Sequence, residues 1–235
     1  FNNVDVVLGG GNEFVSSAMK EHFQNTGITY IQDDKRAMMN FSGEKVWALF
    51  GERAMPYDLD RNSETTPSIS EMTEKAIEVL NKNENGFFLM VEGSKVDWAA
   101  HANDPVGMVS EYLAFDEAVR KAIEFANIII IALKPYNTLR ILEEIKTSIV
   151  SEKHILISVA SGVSIKDIQS VVGTSVPIVR AMPNIASSVS ESVSCICSNS
   201  DKEHVLQIAK AIFECIGTTV EIEEQLMEAS TVLGA

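Results

Sequence analysis

Two carboxylates and an imidazole, Glu92, Asp97 and His101, stand close together directly after the apolar run Phe87 to Val91. That run reads as a strand, and residues just past a strand line ligand crevices in α/β sheets. Carboxylate with imidazole suits Zn²⁺, and a carboxylate with waters suits Mg²⁺. The spacing E-x4-D-x3-H, taken alone, fits a helix cap or a solvated face as well as it fits a metal site. A second candidate is Gly9-Gly10-Gly11 behind Val4 to Leu8, which has the look of a nucleotide loop. Phe14, however, stands where the third glycine of G-x-G-x-x-G is required.

The elements that must position these residues follow from periodicity. Residues 31 to 67, polar and broken by Pro56, Asp58, Asp60 and Pro67, read as a long surface excursion. Ser68 or Ser70 is placed to cap a helix, with Glu71 three residues after Ser68 and apolar positions at Met72, Ala76, Ile77 and Leu80. Asn103 or Asp104 before Pro105 starts a long helix with Val109, Tyr112, Leu113, Val119, Ala122, Ile123 and Ala126 on one face. A strand from Ile128 to Leu133 follows at once. Then come a helix over Leu139 to Ile149, a strand Ile155 to Val159, a short helix from Ser164, and strands at Ile178 to Met182 and about Val193 to Cys197. A helix from Lys202 to Cys215 and a strand Thr219 to Ile222 complete the series. Such alternation predicts an α/β fold with a largely parallel sheet.

Composition sets outer limits. A chain of 235 residues, 46% hydrophobic, can form one large α/β domain or two small ones. Its net charge of −14 disfavours nucleic acid, which is held by clustered Lys and Arg, and leaves small molecules or metal ions as the expected partners. No apolar run approaches the length of a membrane span. Cys195, Cys197 and Cys215 form no disulfide framework and read as free thiols. Acid is unevenly spread, with 11 basic and 21 acidic side chains in residues 1–126 against 8 and 12 in residues 127–235. That shift hints at two origins. The sequence opens at Phe1 without an initiator Met or a signal-peptide pattern, so its beginning is expected to be processed or lost. Oligomeric state and localisation stay open.

The run Phe88-Leu89-Met90-Val91-Glu92-Gly93-Ser94, then Val96-Asp97-Trp98 and His101-Ala102-Asn103-Asp104, closely resembles the metal-binding segment of the alkaline phosphatase family. Asp5-Val6-Val7-Leu8-Gly9-Gly10-Gly11 and Pro67-Ser68-Ile69-Ser70-Glu71-Met72 extend the resemblance over nearly all of residues 1–126. It implies that Glu92 is a magnesium ligand and that Asp97 and His101 hold zinc. The family's serine nucleophile in an Asp-Ser-Ala context and its Asp-His ligand pair are both absent from this sequence. Trp98 stands where some members carry a basic residue near the phosphate. His154 and His204, the histidines after His101, read as surface residues.

Residues 127–235 offer no acid/base pair and no metal spacing, only strands that end in small or special residues. In order, however, Ile129-Ile130-Ile131-Ala132-Leu133-Lys134-Pro135, Ile157-Ser158-Val159-Ala160-Ser161-Gly162-Val163-Ser164-Ile165, Val179-Arg180-Ala181-Met182-Pro183-Asn184 and Gly217-Thr218-Thr219-Val220 resemble pyrroline-5-carboxylate reductase, an enzyme of proline synthesis. The resemblance implies that Ala132, Leu133, Lys134 and Pro135, with Val159, Ala160 and Ser161, border an NAD(P) dinucleotide. The family's Gly-rich loop before the first of these strands has no counterpart in the residues ahead of Ile128, and the helical dimerisation domain after the last is expected to be lacking. The expectation is therefore a fusion, residues 1–126 with residues 127–235, of two partial enzymes with no catalytic residue set, inactive as it stands. The alternative is a residual divalent-metal or nucleotide-binding module. The first family is exported or periplasmic and the second cytoplasmic. A single hybrid sheet is also expected, with Phe87 to Val91 crossing over through the long helix into Ile128 to Leu133. In it, Lys134 would stand near the place of the missing metal ligands, where its charge opposes a dication.

Overall fold

The computed structural model describes residues 4–234, so Phe1 and Ala235 lie outside the described residues. The fold is α/β, and contacts divide it into two units, 1–122 and 123–235. In the first unit β1 (Val6–Gly9), α1 (Ser17–Thr26), β2 (Thr29–Gln32), α2 (Lys35–Met39) and β3 (Val46–Leu49) build a three-stranded parallel sheet in the order β1-β3-β2. The helices α3 (Ile69–Leu80), α4 (Ser94–His101) and α5 (Pro105–Phe125) follow, with the division falling near the end of α5.

The central strand β3 lies inside the stretch expected to be a surface excursion, and this expectation is corrected. Val46-Trp47-Ala48-Leu49 lies in a stretch dominated by polar residues and breakers, yet all four residues are buried. Alternation sends Val46 and Ala48 to a cluster with Ile31, Met38 and Phe50, and Trp47 to the other face with Phe23 and Ile28. The Phe23 and Trp47 ring centroids lie 4.8 Å apart. Helix α3 begins where the sequence says: the Ser68 side chain accepts the Glu71 N–H while the Glu71 carboxylate accepts the Ser68 N–H, a reciprocal cap.

In the second unit β4 (Ile128–Ile131), α6 (Pro135–Ile145), β5 (Ile155–Ser158), α7 (Ile165–Val172), β6 (Ile178–Met182), β7 (Ser192–Ser198), α8 (Glu203–Phe213), β8 (Gly217–Glu221) and α9 (Met227–Gly234) follow in order. The sheet runs β4-β5-β6-β7-β8, parallel throughout except between β6 and β7. Ile155, Ile157, Val179, Ala181 and Ile196 pack one face against Val205, Ala209 and Phe213 of α8. The opposite face carries Arg180 and Cys197, a registered pair across β6 and β7.

The hybrid sheet does not form. Residues 87–91 belong to neither sheet, and β4 closes the edge of the five-stranded sheet, pairing with β5. An apolar run reports what a segment can bury and does not by itself fix membership of a sheet. The reason for placing Lys134 at the position of a metal ligand disappears with that sheet. His154, expected on the surface, is 1% exposed. Its Nδ1 accepts the Val150 N–H at 2.8 Å in the turn before β5. His204 is exposed, as expected.

Candidate functional site

Helix α4 carries two of the three expected metal residues. Asp97 and His101 stand one turn apart, with Asp97 Oδ1 3.6 Å from His101 Nε2, and their side chains are 73% and 82% exposed. The helix can start where it does because Gly93 has no side chain: a Cβ there would meet the Phe115 ring of α5 at 2.9 Å. The chain then turns into α5 through Asp104, whose Oδ1 accepts the N–H groups of Val106 and Gly107 at 3.1 and 2.9 Å.

Glu92 lies apart from this pair, exposed at the wall of a cleft of about 490 Å³ in the first unit. The cleft reaches the carboxyl end of β1 at Gly9 and Gly10 and holds Arg53, Arg61 and Lys95. Two of these cations are already engaged, Arg53 with Glu13 at 2.7 Å and Arg61 with Asp58 at 2.9 Å. Lys95 Nζ sits over aromatic faces, 4.1 Å from the Tyr57 ring centroid and 5.1 Å from that of Trp98. Sequence reasoning missed Lys95 and Arg61 because no local spacing links them to Tyr57 or Gly9. Among the described residues no three His, Cys, Asp or Glu side chains converge where a metal ion could sit.

In the second unit the expected cofactor residues gather at one edge. Ala132, Leu133, Lys134 and Pro135 leave the carboxyl end of β4, and Val159, Ala160 and Ser161 leave that of its parallel neighbour β5. The Val159 N–H donates to the Ile131 carbonyl at 3.1 Å, joining the two turns. Lys134 is exposed at the start of α6, while Ala160 is buried. The nearby N-terminus of α7 is occupied by acid. Asp167 and Ser164 cap each other, and the Ile165 N–H donates to Glu224 Oε1 at 2.6 Å. Hydrogen bonds from Ser164 hold the Asp167 carboxyl below its usual range. Burial, with Glu224 nearby, pushes the Cys197 thiol up to about 11.

The family model for alkaline phosphatase matches residues 1–132, more than half of the chain. The chain belongs to the alkaline phosphatase family. Alkaline phosphatase 4 of Bacillus subtilis is 43% identical over 128 residues, which are 53% of this chain and 27% of that protein. This alkaline phosphatase-family chain has a second likeness, to Pyrroline-5-carboxylate reductase 1 of Dictyostelium discoideum, at 37% identity over 126 residues, 48% of this chain and 23% of that protein. A crystal structure of Plasmodium falciparum pyrroline carboxylate reductase with NADP bound covers 49% of the chain and is itself covered to 44%, at 28% identity and a TM-score of 0.46. The chain is thus a two-part protein, alkaline phosphatase-like and then pyrroline-5-carboxylate reductase-like, and it spans about a quarter of the length of these curated relatives. No helix among the described residues is long and apolar enough to cross a membrane.

Proposed function

We propose that this chain is a fusion of two partial enzymes, joined near residue 127, which carries out neither phosphomonoester hydrolysis nor NAD(P)H-dependent reduction. The observation that carries this reading is the exposed pair Asp97 and His101, 3.6 Å apart, with no third ligand beside it among the described residues. A structural zinc site takes four protein ligands, and a catalytic one at least three. Two solvent-exposed groups fall short of either, so the residues present do not fit a resident zinc, and Glu92 alone is a weak magnesium ligand.

The join removes what each half lacks. Behind the Glu92 to His101 segment the chain passes through α5 into Ile128, where the phosphatase resemblance calls for a strand bearing an Asp-His pair. Ahead of Ile128, where the reductase resemblance calls for a glycine-rich loop, stand α4 and α5. A dinucleotide pyrophosphate binds such a loop and the helix N-terminus behind it. Here Lys134 offers one ammonium, and the N-terminus of α7 already carries the carboxylates of Asp167 and Glu224. The residues present do not fit a tightly held NAD(P).

The test is metal content. Protein purified, loaded with zinc and magnesium and then dialysed is expected to retain well under one equivalent of either. Retention of a full equivalent of zinc, lost in His101→Ala, would overturn the reading and establish a metal-binding module instead.

A further inference from the structure

The five-stranded sheet of the second unit ends in two unlike edges. At one, β8 reads Gly-Thr-Thr-Val-Glu, and its Glu221 carboxylate meets Lys210 at 3.2 Å. At the other, β4 is four isoleucines, Ile128 to Ile131, which pair among the described strands with β5 alone. Edge strands are commonly blunted by Lys, Pro, a bulge or an inward charge, because a free row of amides invites another strand. None of these interrupts β4.

The ladder fixes the direction of its free backbone groups. The Asn127 carbonyl accepts the Ile155 N–H at 2.8 Å, and the Ile131 carbonyl accepts the Val159 N–H at 3.1 Å. Backbone groups alternate in direction along a strand, so those of Asn127, Ile129 and Ile131 face β5 while the N–H and C=O of Ile128 and Ile130 point away from it. Among the described residues no group bonds to these outward amides. The side chains of Ile128 and Ile130 share one face of the sheet. Ile128 packs there against the cluster under α8, whereas Ile130 is 47% exposed.

We infer that β4 is a self-association edge, at which two copies of this chain pair antiparallel with Ile128 of each copy opposite Ile130 of the other. A two-fold axis beside Ile129 then joins the outward N–H and C=O groups of both residues in both copies and sets isoleucine against isoleucine on the α8 side of the joined sheets. Charge selects a second copy in this direction. Exposed Glu124 stands shortly before β4 and exposed Lys134 shortly after it. In the antiparallel pair the entry of each strand lies beside the exit of the other, so Glu124 of each copy faces Lys134 of its partner copy. A parallel pair would set like charges together at both ends, which is unfavourable.

The test is sedimentation of the full chain over a wide range of concentration, with amide hydrogen exchange read at each. A monomer–dimer equilibrium is expected, with exchange over Ile128–Ile131 slowing as the dimer fills. Ile130→Pro removes an N–H that β5 does not use, and Ile130→Lys keeps the ladder but places a charge at the joint. Each is expected to weaken the dimer about tenfold, with exchange in Ile178–Met182 unchanged as the sign that the sheet is intact. Val189→Ser, at an apolar residue 70% exposed elsewhere in the second unit, is expected to change nothing. Lys134→Glu should weaken the dimer, and Glu124→Lys added to it should restore the dimer. The inference is overturned if the chain is monomeric at every concentration, if the dimer withstands both Ile130 variants, if Val189→Ser weakens it as much as they do, or if the exchanged charges do not restore it.

Discussion

Arg180 Nη1 stands 3.1 Å from Glu224 Oε1, the same oxygen that accepts the Ile165 N–H at the start of α7. A second guanidinium nitrogen reaches Glu228 Oε1 at 3.3 Å. Arg180 is almost fully buried, whereas Glu228 is largely in solvent. One cation on β6 therefore ties the turn before α9, and α9 itself, to the sheet.

Removing one partner of a buried ion pair leaves an uncompensated charge and typically costs several kcal/mol. Arg180→Ala is expected to destabilise the second unit by about 3 kcal/mol, whereas Glu228→Ala should change stability by no more than about 1 kcal/mol. Urea denaturation of the two variants checks the order. Equal effects would mean that Glu228, and not Glu224, is the principal partner of Arg180.

His154 gives the second unit a dependence on pH. Burial, helped by the Lys153 charge, lowers its pKa below the ordinary 6.5. The unfolded chain therefore binds a proton near pH 6.5 that the folded chain binds only at lower pH. Stability from this group is complete above pH 6.5 and declines as pH falls from there towards the folded value. His154→Gln should flatten that decline. Denaturation midpoints of parent and variant compared between pH 5 and 8 provide the check, and parallel curves would show that His154 does not titrate differently on folding.

The three thiols should separate by reactivity. Cys215 is exposed, while Cys197 is buried with its thiol pushed up to about 11. The thiolate is the nucleophile, so Cys197 in the folded protein should resist alkylation at neutral pH. Timed labelling with iodoacetamide and peptide mass analysis should find Cys215 modified first and Cys197 modified only in denaturant. Early labelling of Cys197 would mean that the β6–β7 face opens readily.

Much of the fold could be read in the sequence because local signals agreed with the tertiary outcome. Ser68 with Glu71 and Ser164 with Asp167 cap helices by side chains three residues apart, a distance that sequence displays directly. Ile155 to Ser158 and Ile178 to Met182 are apolar runs with partners, and both are strands. Phe87 to Val91 is an apolar run of the same kind that joins neither sheet, and it is not a strand. Periodicity reports what a segment can bury, whereas pairing depends on chain far away in sequence. Val46 to Leu49 failed in the opposite sense, a buried central strand masked by the polar stretch, broken by Pro and Asp, in which it lies. Asp97 and His101 were visible only as part of the E-x4-D-x3-H spacing after an apolar run, and it is α4, which sequence reasoning did not place, that sets them one turn apart. The seating of Lys95 over the Tyr57 ring, and the burial of His154 with its Nδ1 on the Val150 N–H, arise from contacts that no spacing rule encodes.

The central claim is that the join leaves the phosphatase-like half without a working metal centre. Assay of highly purified protein with a chromogenic phosphate monoester, in the presence of zinc and magnesium, tests it most directly. The expected result is no hydrolysis above that of buffer, unchanged in Asp97→Ala. Sustained turnover by the parent chain that is abolished in Asp97→Ala would contradict it.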